Sequence, residues 1–509
     1  MITIFLSIYQ IITRVATHVI AELQTYIKFL KCLSLMLKKC CWHTKCNVSC
    51  QNFVKCAMKK LILSLFVALL LLSCNPIHHQ AIVRTSPKVD QQLTKPSGKI
   101  VQKFPTVSDD SLLTLVQERT FKYFWDYAHP VSGLAREYYG SDELVTIEGS
   151  GFGVMTIPVA VERGFISREE GSERLLKIVE FLNSNADRFH GAFPHWLDGE
   201  TGETIPFSTY DNGGDIVETA LLLQGLLTVR QYFNTSDPVE TQAREIINDI
   251  WETVEWDWYL HGEDVLYRYW SPDFQWDMGI KVQGWNEGLI AYVLAASSPT
   301  HPITKEAYDH GWARNGRICN GDTYYNIYLP LGERYGGPLY YAHYSFLGLD
   351  PRSLSDAYAD YWEQNVNHTK INYLYCRENP KGHVGYGENA WGLTSCSVPD
   401  GYEDCSPAED YGVIAPTAAL SSMPYMPGES LGALRYYYYI IGDKVFGEYG
   451  FCDAFNLDKG WFAPTYMAIN QGPIIIMVEN YRTGLLWDLF MRNVCVLDGL
   501  EKLGFDYVK

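Results

Sequence analysis

Two stretches of this chain place carboxylates where an apolar helix begins, an arrangement suited to acid–base chemistry. In residues 210–226, Asp211, Asn212, Gly213 and Gly214 form a turn-prone run. Asp215 then falls at a helix N-cap and Glu218 in the first turn of a segment with almost no polar face. Such a helix is buried on most sides, so acids at its mouth can face a cleft while its body is locked in the core. Residues 284–290 repeat the theme, with Gly284, Trp285 and Asn286 leading into Glu287 and a second apolar helix. A third acidic loop, 449–456, carries Asp453, with Asp458 close behind. Glycoside hydrolysis needs these residue types. One carboxylic acid protonates the leaving oxygen, and a second carboxylate activates water or attacks. Acids at helix N-termini also complement the helix dipole, so placement alone leaves both readings open.

The loops near these acids are aromatic. Residues 192–198 hold His195 and Trp196, residues 268–277 hold Trp270 and Trp276, and residues 385–391 end in Trp391. With Tyr210 and Trp285, these flat faces beside carboxylates suit sugar rings, whose C–H faces stack while their hydroxyls find polar partners. The 14 Trp and 36 Tyr could instead fill a large core, but their concentration in Gly-rich loops favours the sugar reading. No G-x-S-x-G elbow, P-loop or H-E-x-x-H motif is present. His195 and His343 are dispersed and read as loop or substrate contacts, so neither a metal nor a cofactor is expected.

The elements that must position these residues are helices. Patterns predict helices over 112–127, 151–163, 167–186, 216–233, 237–254, 282–297, 354–373, 415–422, 429–441 and 480–503. Ser167 with Glu170 makes a capping box, and Asp237 with Pro238 an N-cap followed by Pro at the first helical position. Buried and amphipathic helices alternate. That alternation suits an all-α fold of two concentric helical rings, an α/α toroid, spanning 109–509. The clearest β-prone run, 472–478, also fits a buried helix start.

The N-terminal part differs. Residues 1–57 hold six of the 13 cysteines at spacings that match no tetrahedral zinc pattern. From Met58 the chain reads as a signal peptide: Lys59 and Lys60, an apolar run from Leu61 to Leu72, then Ser73 and Cys74. The end of that run resembles a lipobox, with Cys74 as the lipidated residue. Met58 is therefore the expected start, 1–57 a mis-annotated leader, 58–74 the signal and 75–108 a flexible tether. The apolar run is too short for a transmembrane helix. The formal charge is −18; residues 1–57 with Lys59 and Lys60 supply eight net positive charges, so the remainder carries −26. This excludes nucleic acid and an anionic membrane surface as partners, leaving contact with a membrane through a lipid anchor only. Among the later cysteines, Cys396 and Cys405 are the nearest pair.

Six motifs in order (Gly151-Phe-Gly-Val, Asp211-Asn-Gly-Gly-Asp215, Gly284-Trp-Asn-Glu287, Ala390-Trp-Gly-Leu-Thr394, Pro399-Asp-Gly-Tyr402 and Asp453-Ala-Phe-Asn456) resemble the glycoamylase-like family of bacterial lipoproteins, glycoside hydrolase family 144. The resemblance covers about residue 111 to the C-terminus. It implies an (α/α)6 barrel and anomer-inverting hydrolysis of β-1,2-glucan, either endo or releasing sophorose from an end. It places the general acid on Glu287 and the base on Asp453, with Asp458 the competitor. It makes Asp211, Asp215 and Glu218 ring-hydroxyl binders. Mutual repulsion among the inner acids is then expected to help Glu287 keep its proton. An exo-hydrolase of another glucan, or a glycan-binding lipoprotein without turnover, are the alternatives. The expected product is a monomeric, exported lipoprotein of the periplasm or outer membrane whose partner is an oligo- or polysaccharide.

Overall fold

Five of the helix starts carry side-chain caps, at Ser108, Ser167, Asp215, Asp237 and Asp360. The structure is a computed structural model describing residues 104–508. The leader, the signal segment with Cys74 and nearly all of the tether lie outside the described residues. Helix α1 (Asp109–Trp125) begins with Ser108 accepting from Ser111 N. Helix α2 (Ile147–Glu162) starts four residues before its expected position. Helix α3 (Arg168–Ser184) has the Ser167/Glu170 capping box. In α4 (Ile216–Tyr232), Asp215 accepts from Val217 N and Glu218 N, and every residue from Ile216 to Val229 is buried. Helix α5 (Pro238–Glu252) is capped by Asp237. There follow α6 (Leu289–Ser297), α7 (Tyr361–Glu378), α8 (Pro416–Leu420), α9 (Pro427–Arg435), α10 (Ala468–Arg482), α11 (Leu485–Phe490) and α12 (Val494–Leu503).

The helix expected over 354–373 instead spans Tyr361–Glu378, and three other departures have local reasons. Helix α6 begins at Leu289 rather than 282, because Gly284 has φ 82° and the Asn286 side chain bonds Gln283 O and Gly288 N, closing a turn. The β-prone run 472–478 is helical, inside α10; burial on all sides overrides its β propensity. Pro473 cannot donate to Ile469 O there, and the Tyr344 hydroxyl donates to that carbonyl instead, at 3.0 Å. The expected helix over 480–503 is broken, since Gly484 turns left-handed at φ 74° and separates α10 from α11.

Helix α4 packs against α2, α6 and α11; α10 packs against α2 and α1; α3 pairs with α5 and α12 with α6. The α2–α4 crossing is backbone on backbone. A Cβ on Gly151 would lie 2.5 Å from Leu222 Cα, and one on Gly225 would lie 2.2 Å from Gly151 O. Strands are short: β1 (Leu144–Thr146), β2 (Trp196–Asp198) and β3 (Thr204–Ile205) form one small antiparallel sheet. Strand β4 (Gly214–Asp215) pairs with β5 (Tyr269–Trp270), and β6 (Ser395–Val398) with β7 (Gly401–Asp404) as a hairpin. Among the described residues no helix is long and apolar enough to cross a membrane.

Candidate active site

The acidic start of α4 is held by strand pairing. Asp215 lies opposite Tyr269 in the β4–β5 ladder, and Ile216 N donates to Arg268 O at 2.9 Å. Gly213 and Gly214 permit this approach: a Cβ on Gly213 would lie 2.2 Å from Trp270 O, and one on Gly214 2.1 Å from the Tyr259 hydroxyl. Arg268 is thereby laid across the mouth of α4. Its guanidinium reaches Asp215 at 3.2 Å, Glu218 at 3.6 Å and Glu287 at 2.8 Å. One cation thus joins both acidic helix starts through charge-assisted contacts. Repulsion among the inner acids was expected to help Glu287 keep its proton; a guanidinium stands in their midst and contacts Glu287 itself.

Glu218 also links two helices. Its Oε2 accepts from Glu148 N at 3.1 Å, satisfying a free amide in the first turn of α2. His195 closes the group. Its Nδ1 lies 3.7 Å from both Asp211 Oδ2 and Asp215 Oδ2, and its Nε2 3.7 Å from Glu218 Oε1. Phe207 stacks on the imidazole at 4.2 Å.

These neighbours divide the ionisation states. Burial lifts the Glu148 carboxyl to about 8, against the opposing pull of Arg268. Burial, then Glu148, pushes Glu218 well above the usual carboxylate range. Burial and the charge of Asp215 raise Asp211 to about 7. Asp215 goes the other way: burial opposes its charge, but Arg268 and His195 outweigh burial and hold it below its ordinary value. Burial alone would lower His195; Glu218 and Asp215 prevail and raise it to about 9. At neutral pH the floor therefore holds an ionised Asp215 beside cationic Arg268, a Glu148 that keeps its proton and an Asp211 near its midpoint, while the charge on His195 rises and falls with that on Glu218. His195 Nδ1, Asp211 and Asp215 offer donor atoms within 4.8 Å of one another, a spacing a cation could bridge. The chemistry does not fit: the Arg268 guanidinium already occupies Asp215 at 3.2 Å, and its charge would repel a cation there.

Above this floor opens a cavity of about 770 Å³. Glu137, Glu148, Glu218, Arg268 and Glu287 supply its ionisable groups, and Tyr138, Tyr139, Trp196, Phe207, Tyr269, Tyr340 and Tyr344 its aromatic walls. The β6–β7 hairpin adds Ser395, Ser397, Tyr402 and Asp404. Tyr344 is the residue that relieves Pro473, so its ring is tied to α10.

Of the expected site residues, Glu218, Glu287, His195 and Trp196 line this cavity. Asp211 and Asp215 are buried behind it, in contact with His195. Tyr210 is exposed and packs on Phe274 at 4.7 Å, outside the lining. Trp285 and Trp391 are core residues rather than sugar platforms. Trp285 stacks near Tyr361 with its Nε1 on His368, and Trp391 is fully buried with its Nε1 donating to Glu429 O. Asp453 is 1 % exposed and outside the lining. Its two oxygens accept from Ser397 N and Asn470 Nδ2, both at 2.7 Å, so it braces the hairpin, and burial raises its carboxyl. Asp458 lies at the surface, bonded to His383 and Val384 N. The sequence reading missed Glu137, Glu148, Arg268 and Asp404. For Glu148 a signal existed: it stands in the first turn of a buried helix, as Glu218 does, but that helix was expected to start only at Gly151.

The family model Glycoamylase, described as "Putative glucoamylase", matches residues 279–494. An exo β-1,2-glucooligosaccharide sophorohydrolase (non-reducing end) of Parabacteroides distasonis is 47% identical over 420 residues, 78% of this chain. The chain spans 58% of the length of that curated relative. A "putative glucoamylase" crystal structure from Bacteroides uniformis is 55% identical, with 79% of this chain and 99% of that one covered and a TM-score of 0.78. The endo-β-1,2-glucanase from Chitinophaga pinensis, solved with sophorotriose and glucose, is 52% identical, with 79% and 99% covered and a TM-score of 0.77.

Proposed function

The chain belongs to the glycoamylase family, and on that premise we propose that it is a glycoside hydrolase cutting β-1,2-linked glucan, internally or by releasing sophorose from an end. The cavity carries the reading: it sets Glu148, whose carboxyl keeps its proton at neutral pH, beside Glu287, which Arg268 contacts at 2.8 Å, within walls of Tyr, Trp and Phe. Those groups meet the two needs of glycosidic cleavage, proton supply and sugar-ring stacking. The helical arrangement is read as an (α/α)6 toroid, with α2, α4, α6 and α10 in the inner ring. Support comes from their nearly complete burial and from the pairing of α6 with α12 and α10 with α1.

Within this reading Glu287 is the proton donor to the leaving oxygen. Glu148, neutral at pH 7, donates a hydrogen bond to a sugar oxygen, Glu218 braces Glu148 and His195, and Asp211 and Asp215 orient His195 from behind. Asp453 is the water-activating carboxylate. Its burial restricts it to acting through an intervening hydroxyl, a route compatible with inversion at a wide carboxyl separation. The product first formed from a β-linkage is then the α-anomer. The lipobox-like end of the apolar run supports export as a monomeric lipoprotein anchored through Cys74.

Reducing-end release from β-1,2-glucan, starch and β-1,3-glucan tests the activity. Release from β-1,2-glucan alone is expected. Turnover of starch instead points to another glucan hydrolase, and glycan binding without release from any of the three ends the enzymatic reading.

A further inference from the structure

We propose that Cys396 and Cys405 are a cross-linking site, joined as a disulfide that ties off the hairpin framing the cavity. Cys396 lies in β6, and Cys405 follows directly on β7. The chain bends tightly there, Cys405 N donating to Glu403 O at 3.0 Å, and this turns the second thiol under the first. Their Sγ atoms lie 3.8 Å apart, in van der Waals contact, and both side chains are fully buried. An S–S bond is about 2.05 Å long, so rotation about the two Cα–Cβ bonds must close less than 2 Å. The hairpin register already places Cys405 diagonally across from Cys396, with Glu403 opposite Cys396 and Asp404 opposite Ser395.

The cross-link needs a disulfide oxidant, such as oxidised glutathione. One thiolate attacks a sulfur of the oxidant and expels one reduced thiol. The second thiolate then attacks the mixed disulfide, forming Cys396–Cys405 and releasing the other. Two protein thiols are oxidised and one disulfide is reduced to two thiols, which balances. The hydrogen bond with Cys405, then burial, pushes Cys396 well above the usual thiol range, which disfavours the attacking thiolate in the folded protein. The bond therefore forms while the hairpin is still open during folding, and once buried it resists reduction. Ser397, Tyr402 and Asp404 enter the cavity from the segment that the cross-link closes, and Ser395 directly precedes it.

The test uses the full chain, refolded with oxidised glutathione or with dithiothreitol, then denatured and alkylated. No Lys or Arg lies between Gly382 and Leu434, so trypsin leaves both cysteines in one peptide, and cleavage after Glu403 then splits it between them. The oxidised sample should yield two fragments joined until reduced, with two fewer alkylated cysteines. Cys405→Ser should leave Cys396 alkylated. The oxidised wild type should melt about 3 °C above the reduced form, a difference absent from the doubly substituted Cys396→Ser, Cys405→Ser protein. Full alkylation of both residues after oxidative refolding, or pairing of Cys396 with any other cysteine, overturns the proposal.

Discussion

The two acidic helix starts look alike in sequence and are built differently. At α4 the acid is absorbed into the helix: Asp215 is fully buried and caps two amides, and Glu218 caps α2. At α6 the acid stays outside. Glu287 precedes the helix by two residues, and its backbone oxygen accepts from the Ser345 hydroxyl, which in turn accepts from Ile290 N. The helix start is thus secured by Ser345, leaving the Glu287 carboxyl toward the cavity, with Arg268 as its hydrogen-bond partner among the described residues. A carboxylate used as a cap is committed to the backbone, whereas one relieved of capping is available to substrate.

Each variant below presses on that contrast, the largest effect first. Glu287→Gln keeps a partner for Arg268 and removes the exchangeable proton. We expect kcat to fall about 10³-fold with KM changed little, read by steady-state kinetics on β-1,2-glucan. Near-full activity would return the catalytic role to α4. Arg268→Met strands buried acids of both helix starts and should cost about 3–5 kcal/mol in urea unfolding. A loss near zero would mean that the acids do not depend on the shared cation.

Glu148→Gln addresses the protons of the floor. This carboxyl sits near 4.5 when unfolded and about 8 when folded. Between those values the folded state holds a proton the unfolded state has released, so stability falls as pH rises from about 4.5 to about 8. The substitution should shrink the drop in melting temperature between pH 5 and pH 8. An unchanged drop would show that Glu148 does not titrate this way. The smallest effect belongs to Asp458→Asn, which should leave turnover as it is, whereas its counterpart Asp453→Asn should lose activity as Glu287→Gln does. The reverse result would move the base to the surface loop.

What the sequence disclosed follows from how far each signal reaches along the chain. Caps are local, so the starts of α3, α4 and α5 could be read from a few residues each. Arg268 could not, because its place beside Asp215 is made by a ladder between residues more than 50 positions apart. Trp285 and Trp391 share the Gly-rich, aromatic neighbourhood of a binding loop, yet they pack inward; composition cannot tell a platform from a wedge. Asp453 was singled out by its motif, but its burial against Asn470 and Ser397 depends on three distant segments meeting.

The glycine contact between α2 and α4 sets a limit on how this scaffold can diversify. With Gly151 and Gly225 in backbone contact, the two helices have no side-chain spacer whose length could be traded. Glu148 and Glu218 are carried on those helices, so their separation is a fixed gauge, unlike a distance negotiated by packing. Relatives that accept longer, shorter or differently linked glucans must then vary the hairpin and the aromatic rim, and directed evolution of specificity is best aimed there.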